Sequence, residues 1–162
     1  MKSLKIIFLI AAMGVSTYAM AQQKVVVPQS IVTDFSNKYP QARVKNWQAE
    51  KNQYIVSFVL NKQEVEARYN KDGNWISTAT TLWHISDIPH KIIDSLRQSK
   101  FASYHINEAK NIETPSNTMY RLEVDNNSGN KQMYDNLGSY DNQWLYFSPD
   151  GQLIKYEANP NE

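Results

Sequence analysis

Val27-Pro28-Gln29-Ser30-Ile31-Val32-Thr33-Asp34-Phe35 is the stretch whose reading decides the fold. Its pattern returns 61 positions later as Ile88-Pro89-His90-Lys91-Ile92-Ile93-Asp94-Ser95-Leu96. Proline suits the first helical position, where its missing N–H costs nothing and its fixed φ fits the helix. In the first copy Ile31, Val32, Phe35 and Tyr39 fall on one helical stripe, and Pro40 ends it. Ile92, Ile93 and Leu96 form the matching stripe in the second copy, with Ser86 or Asp87 placed to cap its start. Each helix is expected to lay one apolar face on a sheet.

Outward from the helices, both copies close on an Asp-Gly turn. One lies at Asp72-Gly73 before Trp75 and the other at Asp150-Gly151 before Leu153, an offset of 78. The second copy is therefore 17 residues longer, the signature of one unit written twice with an insertion. Residues 54–60 alternate in a strand pattern, and Asn61-Lys62 turns the chain into 64–69. There Val65, Ala67 and Tyr69 face one way and Glu64, Glu66 and Arg68 the other, so one face is buried and one wet. Residues 43–49 and 75–81 complete four strands. The second copy offers 104–112, 119–124, 143–148 and 153–157, with Tyr120, Leu122 and Val124 alternating against Arg121 and Glu123. Residues 126–140 are the insertion, polar but containing Met133, Tyr134, Leu137 and Tyr140.

The expected class is α+β, a tandem repeat of a helix packed on a four-stranded antiparallel sheet. The first repeat spans 22–82 and the second 83–162. Only residues 81–87 separate them, too few for free tumbling, so the two sheets lie side by side or join edge to edge. Joining would hide two strand edges.

Lys2 and Lys5, the apolar run at 6–15 and Ala19-Met20-Ala21 read as a signal peptide over 1–21, cut after Ala21. The run is shorter than the roughly 20 residues a permanent span needs, and no later segment approaches one. A periplasmic or secreted protein with no integral membrane segment after cleavage is the expectation. The sequence has no Cys, which excludes disulfides, thiol chemistry and a lipid-anchoring Cys at the cut. Losing Lys2 and Lys5 takes 17 basic residues to 15 against 16 acidic ones, a formal net charge of −1. Without a basic excess, nucleic acid is not an expected partner.

The order of Val27-Pro28, Ile31, Phe35, Tyr39-Pro40, Ala42, a Trp47 strand, Ala67-x-Tyr69, Asp72-Gly73 and Trp75 resembles the PepSY-like family of beta-lactamase-inhibitor-like envelope proteins. The likeness runs from Val27 to about Tyr156. The second copy departs from it, with Lys100 and Phe101 for the Tyr-Pro pair, Glu108 for Trp47 and Leu153 for Trp75. What the resemblance implies is a tandem helix-on-sheet fold like that of the beta-lactamase inhibitor protein, in which an open sheet face and loops grip an enzyme. The classical inhibitor's disulfides are absent here.

If the alternating apolar residues face the helices, the other face presents Ile55, Val59, Trp144 and Tyr146, joined by Trp75, among Arg68, Arg121 and the strand glutamates. Trp, Tyr and Arg carry much of the energy of protein interfaces, so this face is the candidate binding surface. Aromatics also suit strands for packing reasons alone. Tyr134 and Asp135 in the insertion are placed to enter a partner's cleft. No motif of a hydrolase, phosphate loop or dinucleotide site occurs. His84, His90 and His105 have no metal-ligand spacing, and Glu64 with Glu66 reads as an exposed alternating strand rather than a catalytic pair. The expectation is a non-enzymatic protein with no cofactor and no metal, binding another envelope or secreted protein. The competing expectation is a small-ligand or glycan sensor using Trp47, Trp75 and Trp83 between the repeats.

Overall fold

The computed structural model describes residues 25–126 and 142–159. The expected signal segment and residues 127–140 of the insertion, with Tyr134 and Asp135, lie outside the described residues. Within them the chain runs α1 (Gln29–Lys38), β1 (Arg43–Glu50), β2 (Gln53–Leu60), β3 (Gln63–Asn70) and β4 (Trp75–Leu82). After a 3-10 turn at Ile85–Asp87 come α2 (His90–Gln98), β5 (His105–Glu113), β6 (Thr118–Asp125), β7 (Asn142–Phe147) and β8 (Leu153–Ala158). The eight strands form a single antiparallel sheet in chain order. Of the two arrangements open at the level of sequence, edge-to-edge joining is the one observed. β4 pairs with β5 from Thr78 opposite Glu113 to Leu82 opposite Ala109, which satisfies backbone groups that two separate sheets would leave bare.

Both prolines stand one residue outside the expected place, as the residue before the first helical one. Pro28 has φ −54 and ψ 136, Pro89 φ −53 and ψ 133, and their carbonyls accept the first helical N–H bonds, from Ile31 and Ile92. No side chain caps α2, contrary to expectation. Ser86 and Asp87 belong to the 3-10 turn, where Asp87 Oδ2 instead accepts the His84 N–H at 3.1 Å.

Two apolar clusters form, one under each helix. Ile31 and Phe35 of α1 pack on Val56, Phe58, Val65, Ala67 and Tyr69. Ile92, Ile93 and Leu96 of α2 pack on Ala109, Leu122, Val124, Leu145 and Phe147. The register places both on the same side of the sheet: Val56 lies beside Ala67 and Ala67 beside Thr78, then Leu82 beside Ala109, Leu122 and Leu145. Among the described residues no element covers the opposite side.

Each half carries the same two bulges. Lys45 of β1 and Asn107 of β5 are skipped by the pairing, and so are Ile76 of β4 and Ile154 of β8. The Asp-Gly hairpins match too, with Gly73 at φ 93 and Gly151 at φ 94. One assignment needs correction. Trp47 stands opposite Val56, and the corresponding neighbour of Leu122 is Ala109, not Glu108. From helix proline to next strand the second copy is one residue longer, Pro89 to His105 against Pro28 to Arg43, which shifts the offset by one, and a one-residue slip moves a side chain to the other face.

Candidate binding face

On the helix-free side, β5 to β8 lay out two parallel rows. One runs Lys110, Arg121, Tyr146, Lys155 and the other Glu108, Glu123, Trp144, Glu157. Like charges thus sit directly opposite one another within a row, which alone is unfavourable. Pairing between rows offsets this. Glu108 Oε1 meets Lys110 Nζ at 2.9 Å and its Oε2 meets Arg121 at 2.9 Å, while Glu157 takes Lys155 at 3.1 Å. These pairs are partly exposed, so each contributes about 0–1 kcal/mol and serves mainly to fix geometry.

The same network holds the two aromatics of β7. Trp144 donates its indole N–H to Glu123 at 3.3 Å, and the Arg121 guanidinium lies 4.2 Å from the ring centre. Tyr146 donates its hydroxyl to Glu157 at 2.8 Å beneath the Lys155 ammonium, 4.2 Å from its ring. Burial pushes the Tyr146 phenol up to about 12, and the hydrogen bond it donates to Glu157 adds to that. Glu157 is held below the usual carboxylate range by the Tyr146 hydroxyl and by Lys155. Both aromatics are partly exposed, with ring and polar tip each tethered.

The structure therefore brings Arg121, Trp144 and Tyr146 together. Arg68 shares the face but sits on β3, three strands or roughly 14 Å from Arg121 by strand spacing alone, bonded to Glu66 at 2.8 Å. Trp75 is a correction. It lies on the helix side, paired with Tyr69, because the bulge at Ile76 shifts the strand's phase by one. Its indole donates to Thr78 Oγ1 at 2.9 Å and the Lys38 ammonium covers its ring at 3.9 Å. Ile55 does point away from the helices but is only 2% exposed, flanked by Gln48 and Arg68, so it offers no open apolar surface.

Sequence reading missed Glu108, Glu123 and Glu157 as the tethers of the candidate aromatics. Alternation placed Glu123 on the correct side, but only the strand register shows which ring it meets. Among the described residues no three metal-ligating side chains converge. The tryptophans considered for a ligand groove are not gathered: Trp47 packs edge-on against Phe35 with centroids 5.5 Å apart, Trp75 is bound as above, and Trp83 stands exposed after β4.

A family described as "Putative beta-lactamase-inhibitor-like, PepSY-like" matches residues 17–64 and 52–155. The chain belongs to the PepSY-like family. Its two matches overlap within β2 and β3 and together take in both helices. Solved structures agree in fold. A BLIP-like protein from Bacteroides fragilis superposes with TM-score 0.70 at 21% identity, over 85% of this chain and 90% of that one. A protein described as a putative periplasmic protein, from Bacteroides eggerthii, gives 0.69 at 19% over 85% and 92%. A DUF2874 family protein from Bacteroides uniformis gives 0.68 at 16% over 82% and 90%. No curated protein matches the sequence. The PepSY-like description is inhibitor-like and names no catalytic activity. Among the described residues no helix is long and apolar enough to cross a membrane.

Proposed function

We propose that this PepSY-like chain is a non-enzymatic binding protein of the bacterial envelope or its surroundings, which grips another protein with the helix-free face of its sheet. The observation that carries this reading is the pair Trp144 and Tyr146, partly exposed on that face and each tethered at both ring and polar tip. Rings already held in place lose little freedom on binding, so more of their contact energy appears as affinity. The two opposite-charge rows beside them would set the register of a partner carrying the complementary stripes. The envelope location is supported by the periplasmic description of a structural neighbour and by the signal-like first 21 residues.

The matching bulges, hairpins and proline junctions support reading residues 22–82 and 83–162 as two copies of one helix-and-four-strand unit. Duplication builds a sheet twice as wide as one unit supplies. Its bare side is the surface on which the inhibitor-like description of the family would be realised.

The test is cross-linking and affinity capture from an envelope extract, comparing the native chain with Trp144→Ala/Tyr146→Ala and with Asp94→Ala on the exposed side of α2. We expect at least one partner to be lost with the face variant and kept with the helix variant, while circular dichroism stays native. A face variant that keeps every partner refutes the surface.

A further inference from the structure

A second site lies away from the aromatic pair. Where β4 gives way to the 3-10 turn, a cleft of about 290 Å³ opens, lined by Glu64, Thr81, Trp83, His84, Asn107 and Glu108 among others. That volume is at the small end of the range for ligand pockets, enough for a compact ligand. The chain has four tryptophans, and three are anchored: Trp47 against Phe35, Trp75 on Thr78, Trp144 on Glu123. Trp83 has no hydrogen bond or ring contact among the described residues and is 58% exposed. Its backbone surroundings are nonetheless held, since the next residue's N–H and carbonyl are both bonded to Asp87, at 3.1 and 2.9 Å. A large aromatic surface kept in water on a fixed turn is a feature that packing does not require.

The charges around the cleft decide what it suits. No Lys or Arg lines it, so beside its two carboxylates an anion would meet no permanent positive charge from the lining. Its carboxylates are already compensated, Glu64 by Lys45 and Glu108 by both Lys110 and Arg121, so a cation finds no uncompensated charge. What remains are acceptors and hydroxyls: carboxylate lone pairs, the Thr81 hydroxyl, and Asn107, whose amide is oriented by a 2.8 Å bond to Asp125 and leaves its oxygen to accept. A purely apolar ligand would leave these groups unpaired at a cost. We infer that this cleft binds a neutral carbohydrate, with the apolar face of one sugar ring stacked on Trp83 and its hydroxyls donating to Glu64, Glu108 and Asn107. Trp83 falls in the connection between the halves and has no counterpart in either repeat, so the site shares Glu108 with the charged rows of β5 to β8 but includes neither Trp144 nor Tyr146.

The experiment is a titration of the isotopically labelled protein with maltotriose, chitotriose and mannotriose, each up to about 10 mM, a range that captures a dissociation constant of order millimolar. We expect at least one of them to shift the Trp83 indole resonance saturably while the Trp144 indole stays in place. Trp83→Ala should abolish the shifts at Thr81 and Asn107, Trp83→Phe should retain them weakened, and Trp144→Ala/Tyr146→Ala should leave them intact. Unmoved Trp75 and Trp144 resonances in Trp83→Ala certify its fold. No saturable shift with any of the three sugars, or shifts that persist in Trp83→Ala, overturns the inference and leaves the protein-binding face untouched.

Discussion

At the scale of single residues, Tyr69 and Phe147 occupy corresponding positions at the ends of β3 and β7, both fully buried. The Tyr69 hydroxyl finds no hydrogen-bond partner among the described residues, and burial pushes its phenol well above the ordinary value. Its counterpart shows that the site accepts phenylalanine. Tyr69→Phe is expected to be neutral or to stabilise by up to about 1 kcal/mol, because a buried unpaired hydroxyl is costly. A urea titration that showed a clear loss instead would mean the hydroxyl is satisfied. Tyr39, Tyr69 and Tyr146 all have phenols raised chiefly by burial, Tyr146 to about 12. A raised folded-state pKa contributes stability that is whole below the unfolded value near 10 and disappears as pH climbs through the folded one. Urea midpoints should therefore fall steeply between about pH 10 and 12, and less steeply in Tyr146→Phe. A flat profile across that window would contradict the burial argument. Glu157 has the opposite sign: its lowered pKa helps above the unfolded carboxylate value, and that help is lost on acidification.

At the scale of elements, the two Asp-Gly hairpins have the same backbone and different surroundings. A Cβ on Gly73 would meet Ile31 Cγ1 at 3.7 Å, an ordinary contact, whereas one on Gly151 would come within 2.7 Å of the Lys91 backbone carbonyl oxygen. Both glycines have positive φ, so alanine at either costs about 1–2 kcal/mol in conformation. Gly151→Ala should cost a further 1–3 kcal/mol or so, because the first turn of α2 must move. Equal thermal shifts for the two variants would show that α2 yields freely. A lysine at each helix end makes a related clamp: Lys38 over Trp75 at 3.9 Å, and Lys100 over Tyr156 at 3.8 Å. The helix lengths and apolar stripes were readable from spacing. These clamps were not, because they join residues 37 and 56 positions apart whose meeting depends on sheet register.

For the whole molecule, the β4–β5 ladder makes one sheet of what reads as two units. If either half opened, it would bare the edge strand of the other, so the halves should unfold together. Phe35→Ala, at the centre of the first aromatic cluster with Trp47, Phe58 and Tyr39 around it, should destabilise by about 3–5 kcal/mol and still give a single calorimetric transition. Two resolved transitions would show the halves to be independent. The chain's periodicities alone determined the helices, the eight strands, which strand side is apolar and the family likeness, since each follows from neighbours a few residues apart. Tertiary structure decided the rest: the single sheet, the placing of Trp75 with the core through the Ile76 bulge, and the gathering of Arg121, Trp144 and Tyr146 among three glutamates. Those outcomes turn on pairing register and on single skipped residues, where one residue's shift exchanges the two faces, and no local pattern encodes it.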